Sequence, residues 1–175
     1  MSSEYLLAFN SDVASKSKTI IIQSTPEKVF AHMDDLSNTG MHKEKRSGMM
    51  MGSKLKLQQI SENKSGLFSK YRWHGRMLGI PLDFSTVVTQ WIRGKEKVWQ
   101  TIGDSKMIIL KWYRMHLVIT PLENERVQIE LSIDYTLPNN FFLHFTGLLL
   151  APWYANWCLN KMLSDTKKIL DPLSF

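Results

Sequence analysis

The chain has 175 residues, 43% hydrophobic and 22% charged, a balance that fits one folded domain and excludes a mainly disordered chain. Lysine and arginine outnumber aspartate and glutamate by 22 to 16, so the surface leans positive. The densest basic cluster, Lys43, Lys45 and Arg46, is interrupted by Glu44 and no base-reading motif accompanies it, so no nucleic-acid partner is expected.

The single cysteine, Cys158, excludes an intramolecular disulfide, supplies no metal-ligand spacing and fits a reducing, cytoplasmic compartment. Residues 1–17 lack the basic start and sustained apolar run of a signal peptide and are expected to be an N-terminal extension. Thr19 to Gln23, with three consecutive isoleucines, predicts a strand. Thr25-Pro26-Glu27 predicts a helix start: a capping hydroxyl, a proline in the first turn and an acid at the positive end of the dipole. Val29, Phe30 and Met33 give that helix an apolar face, and Asp35 to Gly40 should end it or bend it into a second short one, with Asn38 and Gly40 as turn residues.

Six strand-like runs follow, at about 54–61, 67–77, 80–92, 96–102, 106–120 and 126–137, separated by turn residues such as Asn63, Gly66, Gly94 and Gly103, which predicts an antiparallel meander. In the last run Val127, Ile129, Leu131, Ile133 and Tyr135 alternate with polar residues at the strand period of two, so one face is buried. Pairing Ile119 with Ile129 puts Leu117, Met115 and Tyr113 on that face and Arg114 opposite Asp134 on the other; a shift by one residue strands the arginine. After Pro138, Phe141 to Leu170 predicts a long closing helix, apolar nearly all round to Trp153 and amphipathic beyond it, with Pro152 as a kink or a break. Residues 172–175 are a short tail.

The order strand, helix pair, six-stranded meander and long helix, entered through Ile20-Ile-Ile-Gln-Ser-Thr-Pro-Glu-Lys-Val-Phe30, resembles the START-like or SRPBCC superfamily of polyketide cyclase/dehydrase and lipid-transport proteins. It covers about residues 18 to 170, and Trp157-Cys-Leu-Asn-Lys-Met-Leu163 is similar to the last helix of some bacterial members. The resemblance implies an α+β helix-grip fold over residues 18–171: a curved antiparallel sheet of about seven strands around the last helix, with two short helices after the first strand. Between sheet and helix it implies room for a hydrophobic small molecule or lipid. Fold alone selects no reaction.

The residues expected to line that space are aromatic or thioether: Met33, Trp73, Phe84, Trp99, Tyr113, Met115, Tyr135, Trp153, Tyr154, Trp157 and Met162. Ligand binding is the leading expectation, and neither a metal nor a cofactor is expected: Met49, Met50 and Met51 have no cysteine or histidine completing a site. The alternative is a metal-free cyclase or dehydratase, for which Asp83, His74, His116, Tyr113 and Tyr135 are the candidate groups. Alternation puts the tyrosines inside and His116 outside, so no base is named. His32 and His42 flank the helix turn, with no sequence-local carboxylate or nucleophile arranged for a dyad or triad. A third reading is a protein- or ribosome-binding module using Trp91, Trp112, Arg114 and His116 on the outer sheet face. Phe141 to Leu159 approaches the length of a membrane span, but His144, Pro152 and Asn156 interrupt it. A buried helix with peripheral contact to anionic lipid through Phe141, Phe142, Phe145 and Leu148, beside Lys43, Lys45 and Arg46, is the expectation.

Overall fold

The computed structural model describes residues 13–35, 54–63, 65–77, 80–107, 109–139 and 141–171. The expected second short helix with Asn38 and Gly40 lies outside those residues, as do His42, the Lys43 to Arg46 cluster, Met49 to Met51 and the side chains of Phe141 and Phe142.

The elements run β1 (Ala14–Gln23), α1 (Pro26–Asp34), β2 (Lys54–Gln59), β3 (Lys70–Met77), β4 (Ile80–Ile92), β5 (Glu96–Lys106), β6 (Trp112–Leu122), β7 (Arg126–Thr136) and α2 (Phe141–Leu170). The strands form one antiparallel sheet in the order β1-β7-β6-β5-β4-β3-β2, curved around the long helix as in a helix grip. The predicted β6–β7 register is the observed one: Ile119 faces Ile129 and Arg114 faces Asp134. α1 starts as its sequence dictates, with Pro26 in the first turn and the Thr25 hydroxyl accepting from the Lys28 N–H at 3.4 Å.

Three local expectations are corrected. β1 begins at Ala14 rather than Thr19, because its polar first half pairs with β7 as far as Tyr135; backbone pairing there does not depend on β-branched side chains. Gly103 is not a turn. It sits inside β5 at φ +66°, a left-handed conformation that glycine adopts without a Cβ clash, so β5 runs on to Lys106 and β6 starts only at Trp112. Trp91 faces inward, because the β4–β5 register shifts between Val88 and Gln90. An extra residue in a strand reverses the side-chain alternation beyond it, and Trp91 packs edge-on against Phe30 with ring centroids 5.5 Å apart.

The inner sheet face and α2 enclose the core. Val127, Ile129, Leu131, Leu117 and Ile119 are sealed in it, and each contributes about 1.5–3 kcal/mol of apolar burial. α2 approaches through small residues four apart, Gly147, Ala151 and Ala155, followed by Leu159, all buried. A Cβ on Gly147 would lie 3.1 Å from Leu137 Cδ2 and 3.4 Å from the Ile109 carbonyl oxygen, so glycine sets how closely the helix lies. The helix continues through Pro152; proline has no N–H, which leaves the Leu148 carbonyl without its helical donor. No helix among the described residues is long and apolar enough to cross a membrane.

Candidate functional site

The sheet brings Trp73, Phe84 and Tyr113 together on its inner face. Trp73 and Phe84 are cross-strand partners on β3 and β4, stacked at 6.3 Å, and Tyr113 of β6 meets Phe84 edge-on at 6.1 Å. From α2, Tyr154 stacks on Trp157 at 6.1 Å, and the Tyr154 hydroxyl donates to Cys158 Sγ. Cys158 in turn lies close enough to Tyr113 for their charges to interact. The helix thus sets a thiol between two phenols within an aromatic surround.

These groups are half-buried rather than sealed, yet strongly desolvated. Burial pushes the Tyr113 hydroxyl above the usual phenol range, and the neighbouring Cys158 adds to this. Tyr154 is raised well above it by burial first, then by Cys158 and Tyr113. Burial pushes the Cys158 thiol up to about 11, against the lowering effect of the Tyr154 hydrogen bond. All three remain protonated at neutral pH. Desolvation disfavours the charged form of each, so the cluster donates hydrogen bonds, offers no base, and holds a thiol with little thiolate character.

The other predicted residues separate by position. Met33, Trp99, Met115 and Tyr135 belong to the closed core, and Trp73, Phe84 and Met162 are nearly sealed beside the phenol cluster. Trp153 is corrected to the outside: it is 52% exposed. With Ala151 and Ala155 turned to the sheet, the 100° step per residue carries position 153 to the opposite side of α2, where it stacks on Trp157 at 6.4 Å.

Asp83, His74 and His116 lie on the outer sheet face. The alternation that turns Trp73, Phe84 and Met115 inward turns these outward. Asp83 is held by Arg72 at 2.6 Å, and the hydrogen bond from that guanidinium lowers its carboxyl below the usual range. His116 Nε2 lies 2.7 Å from Glu96. With Trp91 inside, Trp112, Arg114 and His116 are the outer-face residues left for a protein-binding module.

Lys97 was not among the expected site residues, although it shares the parity of Trp99. Its side chain is fully buried on the inner face, with Nζ 2.6 Å from Asp34 Oδ1 and donating to the Asp34 carbonyl at 2.9 Å. It also lies 5.4 Å over the Trp99 ring. Burial lowers its pKa, while Asp34 and then Asp35 draw it back up. The ammonium closes the last turn of α1, where the helix dipole favours a cation, and is sealed from any ligand. A separate open hollow of about 380 Å³ lies at the far end of α2, between Thr25, Lys28, Glu125, Lys168 and Asp171. Its cations and carboxylates oppose each other, so it favours neither charge sign.

No protein-family profile matches the chain, and no curated protein matches it by sequence. Solved structures do. An aromatase/cyclase from Streptomyces sp. R1128 superimposes with a TM-score of 0.63 at 11% identity, covering 89% of this chain and 94% of that one. Truncated norcoclaurine synthase from Thalictrum flavum gives 0.64 at 12% identity, covering 93% and 95%. A protein from Thermus thermophilus gives 0.62 at 16% identity, covering 89% and 95%. Identities this low carry the architecture and not the activity. The sheet order, the enclosed α2 and these superpositions together establish that the chain has the helix-grip fold seen in these structures.

Proposed function

We propose that the chain binds a hydrophobic small molecule or lipid that carries a neutral hydrogen-bond acceptor, such as a carbonyl or ether oxygen, between the sheet and α2. The observation that carries this reading is the state of Tyr113, Tyr154 and Cys158: half-buried, strongly desolvated and protonated. Such groups border an internal space rather than bulk water. Trp157, Phe84 and Trp73 supply flat apolar contact around them, and the Tyr113 phenol orients one polar atom of the ligand. Structures with this fold include an aromatase/cyclase and a norcoclaurine synthase crystallised with dopamine and hydroxybenzaldehyde, in line with a small aromatic or polyketide-like ligand.

The test is native mass spectrometry of protein purified from its own host, with extraction of retained lipid, alongside titration with Nile red, a neutral apolar dye with a carbonyl. Retained mass or saturable dye uptake is expected. A bare chain that also takes up no dye would remove the reading.

A cyclase or dehydratase reading rests on Tyr113, whose phenol is placed to hand a proton to a carbonyl oxygen. Turnover also needs a base to restore it. The carboxylates that act on inner-face groups are Asp34, which Lys97 holds, and Asp35; neither is paired with Tyr113, so binding is the better supported function.

A further inference from the structure

The N-terminal half of α2 presents an apolar surface that neither the fold nor the ligand site uses. At 30 residues the helix is about 45 Å long, while the 11-residue β7 spans about 37 Å. The helix ends at the side of the sheet where β1 stops and α1 starts, since Leu170 and Lys168 share a hollow with Gln23, Ser24 and Thr25. Its first turns therefore overhang the opposite end. Phe145, in the overhang, is 63% exposed, and on the turns that follow, whose other side packs on the sheet through Gly147 and Ala151, Leu149 is 68%, Leu148 54% and Leu150 47% exposed. At 100° per residue, Phe145, Leu148, Leu149 and Trp153 fall on one outward side of the helix, which is therefore a continuous apolar face. Residues 141–160 contain no aspartate, glutamate, lysine or arginine.

Cations lie at this end of the sheet: Lys16 near the start of β1, Arg76 near the end of β3, Lys106 ending β5 and Lys111 entering β6, and Lys111 Nζ donates to Asn139 Oδ1 at 3.3 Å, beside the start of α2. Among the acids described there, Asp83 is held by Arg72 and Asp134 accepts from the Ser15 hydroxyl at 2.7 Å, which leaves Asp134 and Asp104 as the negative charges against the lysines. The exposed side chains present roughly 500 Å² of apolar surface, short of the ~800 Å² per partner that a stable dimer buries. An exposed apolar helix face with cations at its end of the sheet is complementary to a sheet of anionic headgroups over hydrocarbon.

We propose that the exposed face of the N-terminal half of α2 docks the protein on an anionic lipid bilayer, with Phe145, Leu148, Leu149 and Trp153 in the interfacial layer and Lys106 and Lys111 against headgroup phosphates. Insertion is shallow: the Leu148 carbonyl, left without a donor by Pro152, must stay within reach of water.

Cosedimentation with phosphatidylcholine vesicles, with and without about one third phosphatidylglycerol, tests this on the full chain. The protein is expected to sediment with the anionic vesicles, and high salt or Lys106→Glu with Lys111→Glu should release it. Leu149→Glu and the milder Leu149→Ser should each weaken binding, the former about tenfold or more. Both replace an exposed side chain, so thermal midpoint and Nile red uptake should stay unchanged, which separates this surface from the ligand site. Equal sedimentation of wild type and Leu149→Glu would overturn the proposal. So would a vesicle-free mass twice that of the chain that Leu149→Glu halves, which assigns the face to a second copy.

Discussion

Replacing Lys97 by alanine removes the ammonium that lies 2.6 Å from Asp34 at the end of α1 and leaves the carboxylate under a protein surface. The side chains of Lys97 and Asp34 are 0% and 12% exposed, so water can neither screen the pair while it stands nor rescue Asp34 when it is broken. Removing one partner of such a pair costs about 3–5 kcal/mol, a large share of the ~5–15 kcal/mol that holds a domain folded. Lys97→Met keeps most of the stem over the Trp99 ring and should cost less than alanine. Asp34→Asn combined with Lys97→Met removes both charges and should recover much of the loss, giving a coupling energy of about 1–3 kcal/mol in a double-mutant cycle. Urea unfolding followed by circular dichroism reads wild type, Lys97→Ala, Lys97→Met, Asp34→Asn and the double variant. The pH dependence has a definite sign. Burial lowers the folded pKa of Lys97 below its ordinary 10.5, so between the folded value and 10.5 the unfolded chain holds more protons and stability rises with pH. Wild type should therefore gain stability relative to Lys97→Met as pH climbs toward 10.5. Additive single substitutions, each costing under about 1 kcal/mol, would show that the pair is solvated and the reasoning wrong.

Other expectations are more local. Tyr113→Phe removes one donor without emptying the aromatic wall, so it should weaken Nile red binding about five- to tenfold, in proportion to one hydrogen bond of about 1 kcal/mol, whereas Tyr154→Phe, whose proton is given to Cys158, should weaken it less; an unchanged titration for Tyr113→Phe would count against that phenol as the ligand donor. Cys158, with its thiol pushed up to about 11, should resist a disulfide reagent at pH 7.5 in the folded protein and react promptly in urea; prompt reaction without urea would contradict its desolvation. Gly147→Ala gains helix propensity of about 1 kcal/mol but must push back Leu137 and the Ile109 carbonyl, an overpacking penalty of about 1–3 kcal/mol, so a lowered thermal midpoint is expected and a raised one would show that the 109–111 loop yields.

What the sequence discloses follows the reach of each signal. The register of β6 on β7 was legible because Arg114 and Asp134 find each other only when Ile119 faces Ile129, and the bounds of β4 and α2 because turn residues and Pro138 mark them. The inward turn of Trp91 was not legible: it depends on a register shift between Val88 and Gln90 that no residue type announces. Gly103 misled because a glycine that permits a left-handed bend inside a strand looks the same as one that ends it. Lys97 had a usable signal in its parity with Trp99, outweighed by the habit of reading any lysine as solvated. Trp153 was placed by its aromaticity alone, whereas the small residues at 147, 151 and 155 mark which side of α2 meets the sheet and thereby exclude it. For the phenol cluster, alternation supplied Tyr113, but its proximity to Cys158 depends on how α2 crosses the sheet.

The pairing of β1 with β7 has a consequence for how the chain reaches this structure. Its partners lie about a hundred residues apart in sequence, whereas each pair from β2 to β7 is a hairpin between neighbours that can close as the chain lengthens. Closing so long a loop is the slow kind of event in folding, because chain entropy is lost before contacts repay it. Ile20 and Ile22 therefore wait beside an unfinished sheet during synthesis, as an unpaired and partly greasy strand, until Val127 and Ile129 emerge. That interval, rather than the finished fold, is when this protein is most open to joining the wrong neighbour.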